Sequence, residues 1–248
     1  MNQLQIKDIN IDTKAGTKTI VSGVSLSIKQ GEIVILMGQN GSGKSTLLNG
    51  IMGHPGYKIL SGDIILSGKD IAMFSSDEKA RSGLFLSPQT PPTIEGVTLA
   101  QFLYAAHRAI GGTKDILSFY KYAEEQRKKL GIEKDFLKRY VNDGLSGGEK
   151  KISELLQLAI LKPKYALLDE IDSGVDMDAL GKIISTIRNL AEDGIGFLLV
   201  THSDKILDML SPEMIYIMYD GKIARSGGKE LLNEIKEKGY TKLTCQNK

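Results

Sequence analysis

The sequence predicts an α/β fold built on a mostly parallel sheet, and three observations carry that expectation. Continuous apolar runs of four to six residues, such as IVILMG at 33–38 and FLLV at 197–200, read as strands buried on both faces. In the second half of the chain such runs alternate with helical patterns: YALLDE, DALGKIISTIRNLAED, GFLLVTH, DKILDML and EMIYIMYDGKIARSG. The first buried run ends in a glycine-rich loop that opens a helix, GQNGSGKSTLLNGIMG.

Taken in order, residues 4–36 read as strands: LQIKDINI and VSLSI alternate, and GEIVILMG is continuous. GDIILSGKDI (62–71) reads as a strand pair with glycine-rich turns, and GLFLSPQ (83–89) as a short strand ending at Pro88. After TPPTIEGV (90–97) the character changes. Residues 98–140 carry apolar positions at helical spacing, which implies a helical subdomain inserted between strand-rich segments. EKKISELLQLAILK (149–162) is an amphipathic helix stopped by Pro163, and GGKELLNEIKEKGY reads as a closing helix. The expected division is one domain, with 1–90 and 162–248 as the α/β core and 91–161 as the helical subdomain.

Composition narrows the function. With 41% hydrophobic and 25% charged residues the chain of 248 is globular. A net charge of +2 gives no concentrated basic face, so no nucleic-acid partner is expected. The apolar runs are too short to span a bilayer and MNQLQIKDIN has no signal-like apolar segment, so the expected location is cytoplasmic, without direct membrane insertion. One cysteine, Cys245, cannot form an internal disulfide or hold a metal cluster alone. The histidines His54, His107 and His202 are scattered.

GQNGSGKS (38–45) fits G-x-x-x-x-G-K-[ST] in full and in the strand-to-helix context that gives the pattern meaning. Gly38, Gly41 and Gly43 let the backbone curl so that its amides, with those of Asn40, Ser42 and Thr46, face phosphate oxygens. The helix N-terminus adds its dipole. Lys44 reaches the outer phosphates, and Ser45 offers a hydroxyl to Mg²⁺. In YALLDEIDSGVD (165–176), a strand delivers Asp169 and Glu170 to the sheet edge where ligands bind in such folds. Asp169 there holds Mg²⁺ through water, and Glu170 orients or deprotonates an attacking water. The alternative is a solvated acidic turn. His202 follows the next buried strand, within reach of a γ-phosphate. NDGLSGGEKKISEL (142–155) admits two readings on its own: a plain helix start, with Ser146 and Glu149 as a capping box, or half of a binding site.

The order of these pieces resembles the ATP-binding-cassette (ABC) ATPases across nearly the whole chain. LSGGEKK (145–151) looks like that family's signature loop, Gln89 like its Q-loop glutamine, SGVD (173–176) like its D-loop with Asp176, and His202 like its switch histidine. The resemblance implies a P-loop NTPase cassette: a RecA-like core, an antiparallel β subdomain and the helical insert. It implies ATP and Mg²⁺ as ligands, with Gln89 also at the metal. It further implies a head-to-tail homodimer, in which Ser146, Gly147 and Gly148 of one copy cap the γ-phosphate held by Lys44 of the other.

Within the family the chain is most similar to the SufC-type ATPases of iron–sulfur cluster assembly, through SGGEKK, DEIDSGVD with DALG, PEMIYIMYDGKIARSG and EKGYTKLT. It departs from them in lacking an Arg-Asn/Asp pair after the lysines of KKISELLQ, and in carrying Ser87 before the Q-loop. This resemblance implies a SufB or SufB–SufD type scaffold as partner, docked near Gln89, Pro91, Pro92, Phe102 and Tyr104, with the cluster built on the scaffold. IDTKAGTKTI has no aromatic residue to stack on adenine, so phosphates are expected to dominate binding. Lys151 admits two readings: a solvated lysine at the helix start, or a latch that swings toward Glu170 or Asp172 in the unpaired subunit and holds the catalytic carboxylate out of position. Two other functions fit the sequence: the ATP-binding subunit of a membrane ABC transporter, and a non-hydrolysing ATP-binding regulatory module.

Overall fold

The structure, a computed structural model, describes residues 3–16, 19–201 and 203–238. His202, Cys245 and the EKGYTKLT stretch beyond Lys238 lie outside the described residues.

The first half of the chain supplies β1 (Gln3–Thr13), β2 (Val21–Lys29), β3 (Ile33–Gly38), α1 (Lys44–Met52), β4 (Tyr57–Leu66), β5 (Lys69–Asp70), α2 (Ser76–Ser82) and β6 (Leu84–Ser87). The insert follows, with β7 (Ile94–Thr98), α3 (Leu99–Ala109), α4 (Ile116–Lys129), a 3₁₀ turn at Phe136–Lys138, and β8 (Tyr140–Val141). The return to the core runs through α5 (Gly147–Leu161), β9 (Tyr165–Asp169), α6 (Met177–Glu192), β10 (Gly196–Val200), α7 (Asp204–Leu210), β11 (Met214–Tyr219), β12 (Lys222–Gly227) and α8 (Lys229–Lys238).

The strands form a six-stranded sheet in the order β12-β11-β3-β10-β9-β6, a four-stranded sheet β2-β1-β4-β5, and the pair β7-β8. In the large sheet every pairing from β11 to β6 is parallel, and only β12 runs antiparallel. β3, β9 and β10 are buried along their whole length, as a sheet covered on both faces requires. Their side chains divide by the two-residue period. Ile33, Ile35, Leu168, Phe197 and Leu199 pack against α6 through Ile183, Ile184 and Ile187. Val34, Leu36, Leu167, Leu198 and Val200 face α1 and the antiparallel sheet through Leu47, Ile51, Ile6 and Ile64. A third cluster joins Leu103, Phe119, Phe136 and Leu156 of the insert.

Helix α5 belongs to two of these clusters: Leu155 and Leu158 turn to the main sheet, while Leu156 and Ile160 turn to the insert. Its position therefore depends on both bodies. Two elements went unforeseen in the sequence. α2 starts at a capping box between Ser75 and Glu78, and the expected helical block at 98–140 is bounded by the β7–β8 pair and broken at Gly111–Gly112 between α3 and α4. Phe102 and Tyr104 are half-buried against the insert's own core, and the Tyr104 hydroxyl donates to the Lys114 carbonyl at 2.7 Å.

Candidate functional site

Parallel pairing brings the C-terminal ends of β3, β10, β9 and β6 to one edge of the sheet, with Val200 beside Asp169 and Ser87 beside Leu168. Gly38, Asp169 and Glu170 stand on that edge, and the Gln89 segment follows directly. The loop after β3 wraps tightly. The Ser42 amide donates to the Gln39 carbonyl at 3.1 Å, and the Gly221 amide donates to the Ser42 carbonyl at 3.0 Å, which pins the loop to the β11–β12 turn. Gly38 has φ 155°, and a Cβ there would lie 2.3 Å from the Met218 carbonyl, so only glycine fits.

Lys44 folds back on this loop. Its ammonium donates to the carbonyls of Gly38 at 2.9 Å and Gln39 at 3.0 Å. Burial lowers its pKa, and the nearby charges of Asp169 and Glu170 act in the opposite direction. The ammonium thus sits at the loop's centre, satisfied by backbone that ATP phosphates can replace as partner.

An open cavity of about 520 Å³ adjoins it, lined by Ile20, Asn40, Gly41, Gly43, Lys44, Ser45, Thr46, Gln89 and Glu170. Eight of these were singled out in the sequence; Ile20 was not. It supplies an apolar contact where no aromatic residue was found, and a lone aliphatic side chain at a strand's start carries no signal of that role. Gly38 and Ser42 are buried behind the loop.

Asp169 is 2% exposed. Burial raises its pKa; its hydrogen bond with Ser45 lowers it, the Glu170 charge raises it, and Lys44 and Lys151 lower it. Its Oδ1 is buried without a hydrogen-bond partner. A buried acceptor beside a serine hydroxyl at a phosphate-binding loop fits Mg²⁺, which takes few protein ligands and completes its shell from phosphates and water. Among the described residues no cluster of three or more His, Cys, Asp or Glu side chains offers a dedicated metal cage.

Glu170 follows β9 in a left-handed conformation, φ 52°, with its amide donating to the Val200 carbonyl at 3.1 Å. The Gln89 Nε2 donates to the Glu170 Oε2 at 2.5 Å. The Thr201 hydroxyl donates to the Asp172 carboxylate at 3.3 Å, and the Ser203 amide donates to the Thr201 hydroxyl at 3.0 Å.

The Gly-Gly loop lies elsewhere. The cavity wall contains neither Ser146, Gly147 and Gly148 nor Asp176. Ser146 caps α5: its hydroxyl accepts from the Glu149 amide at 3.3 Å, and Glu149 accepts from the Ser146 amide at 2.8 Å. The capping-box reading therefore describes the local structure, while Ser146 and Gly147 stay exposed. Arg139 pairs with Glu149 at 2.5 Å, a contact no sequence pattern marked. The Ser146 amide, the Arg139 guanidinium and the Ser146 hydroxyl hold Glu149 at a pKa of about 2. A Cβ at Gly147 would lie 3.2 Å from the Gly174 carbonyl, so the signature-like and D-loop-like segments touch within one chain. Asp176 caps α6, its Oδ1 accepting from the Ala179 amide at 2.8 Å.

Neither reading of Lys151, the solvated lysine or the pair with Glu170 or Asp172, is what forms. Lys151 faces inward from the second turn of α5 and its ion pair is with Glu154, at 3.2 Å. Side chains three apart on a helix meet, and that local geometry prevails here.

A phosphate-binding loop, two carboxylates and a glutamine on one sheet edge, with a glycine-rich helix start held apart, define a nucleotide-binding cassette. The sequence profile of the ABC transporter family matches residues 21–173. The chain belongs to that family. It is 42% identical over 240 residues to Vegetative protein 296 of Bacillus subtilis, covering 96% of this chain and 91% of that one. It is 40% identical over 243 residues to a probable ABC transporter ATP-binding protein of Streptococcus pyogenes, covering 97% and 94%. A nucleotide-free ATP-binding cassette from an ABC transporter superposes with a TM-score of 0.81 at 26% identity, covering 97% of each chain. A bacterial ABC transporter cassette solved as a dimer superposes with a TM-score of 0.78 at 25% identity, covering 91% of this chain and 98% of that one.

Proposed function

We propose that this chain is a Mg²⁺-dependent ATPase of SufC type, which dimerises on ATP and drives a conformational change in a SufB/SufD-type scaffold where iron–sulfur clusters are assembled. The observation that carries the ATPase reading is the cavity that holds Lys44, Ser45, Gln89 and Glu170 together.

The loop amides and Lys44 bind the phosphates, with the α1 N-terminus adding its dipole. Mg²⁺, when bound, would supply charge neutralisation at the phosphates. Ser45 and Gln89 would hold it directly and Asp169 through water. Glu170 takes the proton of the attacking water, and Gln89 fixes the carboxylate until nucleotide arrives. His202 is assigned to the γ-phosphate by its place after β10. Ser146, Gly147, Gly148 and Asp176 complete the site in a second copy; the exposure of Ser146, Gly147 and Asp176, away from the chain's own cavity, supports closure in trans.

The scaffold reading rests on SGGEKK, DEIDSGVD and PEMIYIMYDGKIARSG, and on the single cysteine, which leaves the cluster to the partner. Exposed Pro92 and half-buried Pro91, near Gln89 in sequence, belong to the docking surface with Phe102 and Tyr104, which are half-buried against the insert's own core. A second reading, the ATPase of a membrane transporter, is favoured by the transporter name of the Streptococcus relative. No described helix is long and apolar enough to cross a membrane, so that role requires a membrane partner.

Two experiments test this. Glu170→Gln is expected to lower hydrolysis by at least about 100-fold while nucleotide still binds; unchanged hydrolysis contradicts the assignment. Purification of the tagged chain from its native cell, split into soluble and membrane fractions, is expected to yield a soluble cysteine-bearing scaffold able to take up iron and sulfide. Recovery with a polytopic membrane protein establishes the second reading instead.

A further inference from the structure

Asn142 lies between β8 and the Gly-Gly loop, and the reaction described above does not use it. Its backbone is left-handed, φ 57°, a conformation that asparagine tolerates better than most residues. Its side chain is only 5% exposed. The Asn142 Nδ2 donates to the Pro92 carbonyl at 2.9 Å, and the Thr93 hydroxyl donates in return to the Asn142 carbonyl at 3.3 Å. Directly beyond, Ile94 pairs with Val141 where β7 meets β8.

Stability alone accounts poorly for this side chain. Its Oδ1 is buried without a hydrogen-bond partner, a cost of the same order as what the Nδ2 contact contributes. Glycine would meet the left-handed backbone without that cost. What asparagine adds over glycine is its hold on Pro92.

That hold lies between two parts of the proposed site. On one side, Gln89 bonds Glu170 at 2.5 Å, and Pro92 follows three residues after Gln89. On the other, Asn142 leads through Asp143, Gly144 and Leu145 to Ser146, which caps α5. A contiguous run of contacts and backbone therefore joins Glu170, in the chain's own cavity, to the loop assigned to the other copy's phosphate.

We propose that Asn142 is a positioning residue: it clasps the Gln89 segment to the Gly-Gly loop, so that the loop's placement against a second copy follows the state of Gln89. When Gln89 leaves Glu170 for the nucleotide, Pro92 and the loop shift together. The inference rests on the reading that Ser146, Gly147 and Gly148 close the site in trans.

The test compares two binding steps in the Glu170→Gln background, which keeps a side-chain oxygen able to accept from Gln89. The first is binding of fluorescent methylanthraniloyl-ATP to the single chain, at protein concentrations too low for pairing. The second is dimerisation with saturating Mg-ATP, followed by analytical ultracentrifugation. Asn142→Gly tolerates the left-handed backbone and deletes the amide. It is expected to leave the first step within about twofold, because Asn142 is absent from the cavity wall. It is expected to raise the dimer Kd by about tenfold, the loss of one well-directed hydrogen bond. Thr93→Val removes the returning hydroxyl and is expected to give a smaller rise; it also serves where Asn142→Gly fails to fold. Gln89→Ala combined with Asn142→Gly is expected to weaken pairing by less than the product of the two single effects, because both cut the same connection. A dimer Kd unchanged in Asn142→Gly and Thr93→Val, with only thermal stability lowered, makes the clasp merely structural and overturns the proposal. A double variant whose losses multiply in full overturns it too, since Gln89 and Asn142 then act independently. Glu170→Gln that binds ATP yet never pairs overturns the trans reading itself, and this inference with it.

Discussion

The Gln89 side chain and the Glu170 carboxylate are joined at 2.5 Å across 81 residues of sequence. One residue opens the segment that leaves the main sheet for the insert; the other ends the strand that carries the acidic pair. Both line the nucleotide cavity. In this state the Gln89 amide occupies one oxygen of the carboxylate proposed above to accept the water proton, so the Q-loop-like segment and the carboxylate are positioned together.

Gln89→Ala is expected to loosen the segment at 88–93 without unfolding the sheet. Hydrogen–deuterium exchange of those amides is expected to rise by about tenfold, the loss of one hydrogen bond to a charged group, while β9 and β10 stay protected. Unchanged exchange at 88–93 means the contact does not restrain the segment.

Ser146 caps a helix and is assigned to the partner's phosphate, and the two roles separate by substitution. Ser146→Gly is expected to reduce stability by only about a few tenths of a kcal/mol, since glycine is a tolerable cap. The same variant is expected to lose ATP-induced dimerisation, because the hydroxyl donor is gone. Retained dimerisation in urea-stable protein removes Ser146 from the binding role.

Glu149 gives the acid side of the stability profile. Its folded pKa of about 2 lies below the ordinary 4.5, so its contribution is fully present above about 4.5 and is lost as pH falls toward 2. Glu149→Gln is expected to flatten the stability–pH curve in that window, read from urea denaturation. An unaltered acid limb means that the Arg139 and Ser146 contacts do not favour the ionised form.

At Lys79 it is the charged form that the fold disfavours, and stability again rises with pH. The side chain is fully buried, beside the glycine that ends α1, and its Nζ has no hydrogen-bond partner. Burial lowers its pKa from 10.5 to about 8, with Asp70 acting against that. The unfolded chain therefore binds more protons between about 8 and 10.5, and stability rises with pH across that interval. Lys79→Met is expected to stabilise the protein near neutral pH by on the order of 2 kcal/mol and to remove that rise. A variant no more stable than its parent means that Lys79 finds compensation through the negative end of α1.

The sequence made the sheet legible because burial on both faces leaves one mark, the uninterrupted runs of β3, β9 and β10. It made the phosphate loop legible because a curled backbone at phosphate needs glycines at fixed spacing. What it hid depended on contacts distant along the chain. Nothing in the SPQTPP stretch says that Gln89 meets Glu170. The charge run EKK reads as a solvated helix start, yet Lys151 turns inward and takes Glu154, because the inner face of α5 is fixed by where the insert packs. Ile20 became part of the cavity only when β2 was placed beside the loop. The short helix α2 was missed although Ser75 and Glu78 carry the capping pattern, because no apolar periodicity follows them.

The central claim is that one chain holds two halves of two sites, closed by a second copy. The most direct measurement is light scattering of Glu170→Gln with and without saturating Mg-ATP, alone and with the scaffold recovered from cells. A doubling of the mass from 27.1 kDa for the chain alone, with two scaffold-bound copies where scaffold is present, each with ATP and not with ADP, is the predicted result. A variant that binds ATP yet remains a single copy in both settings contradicts it.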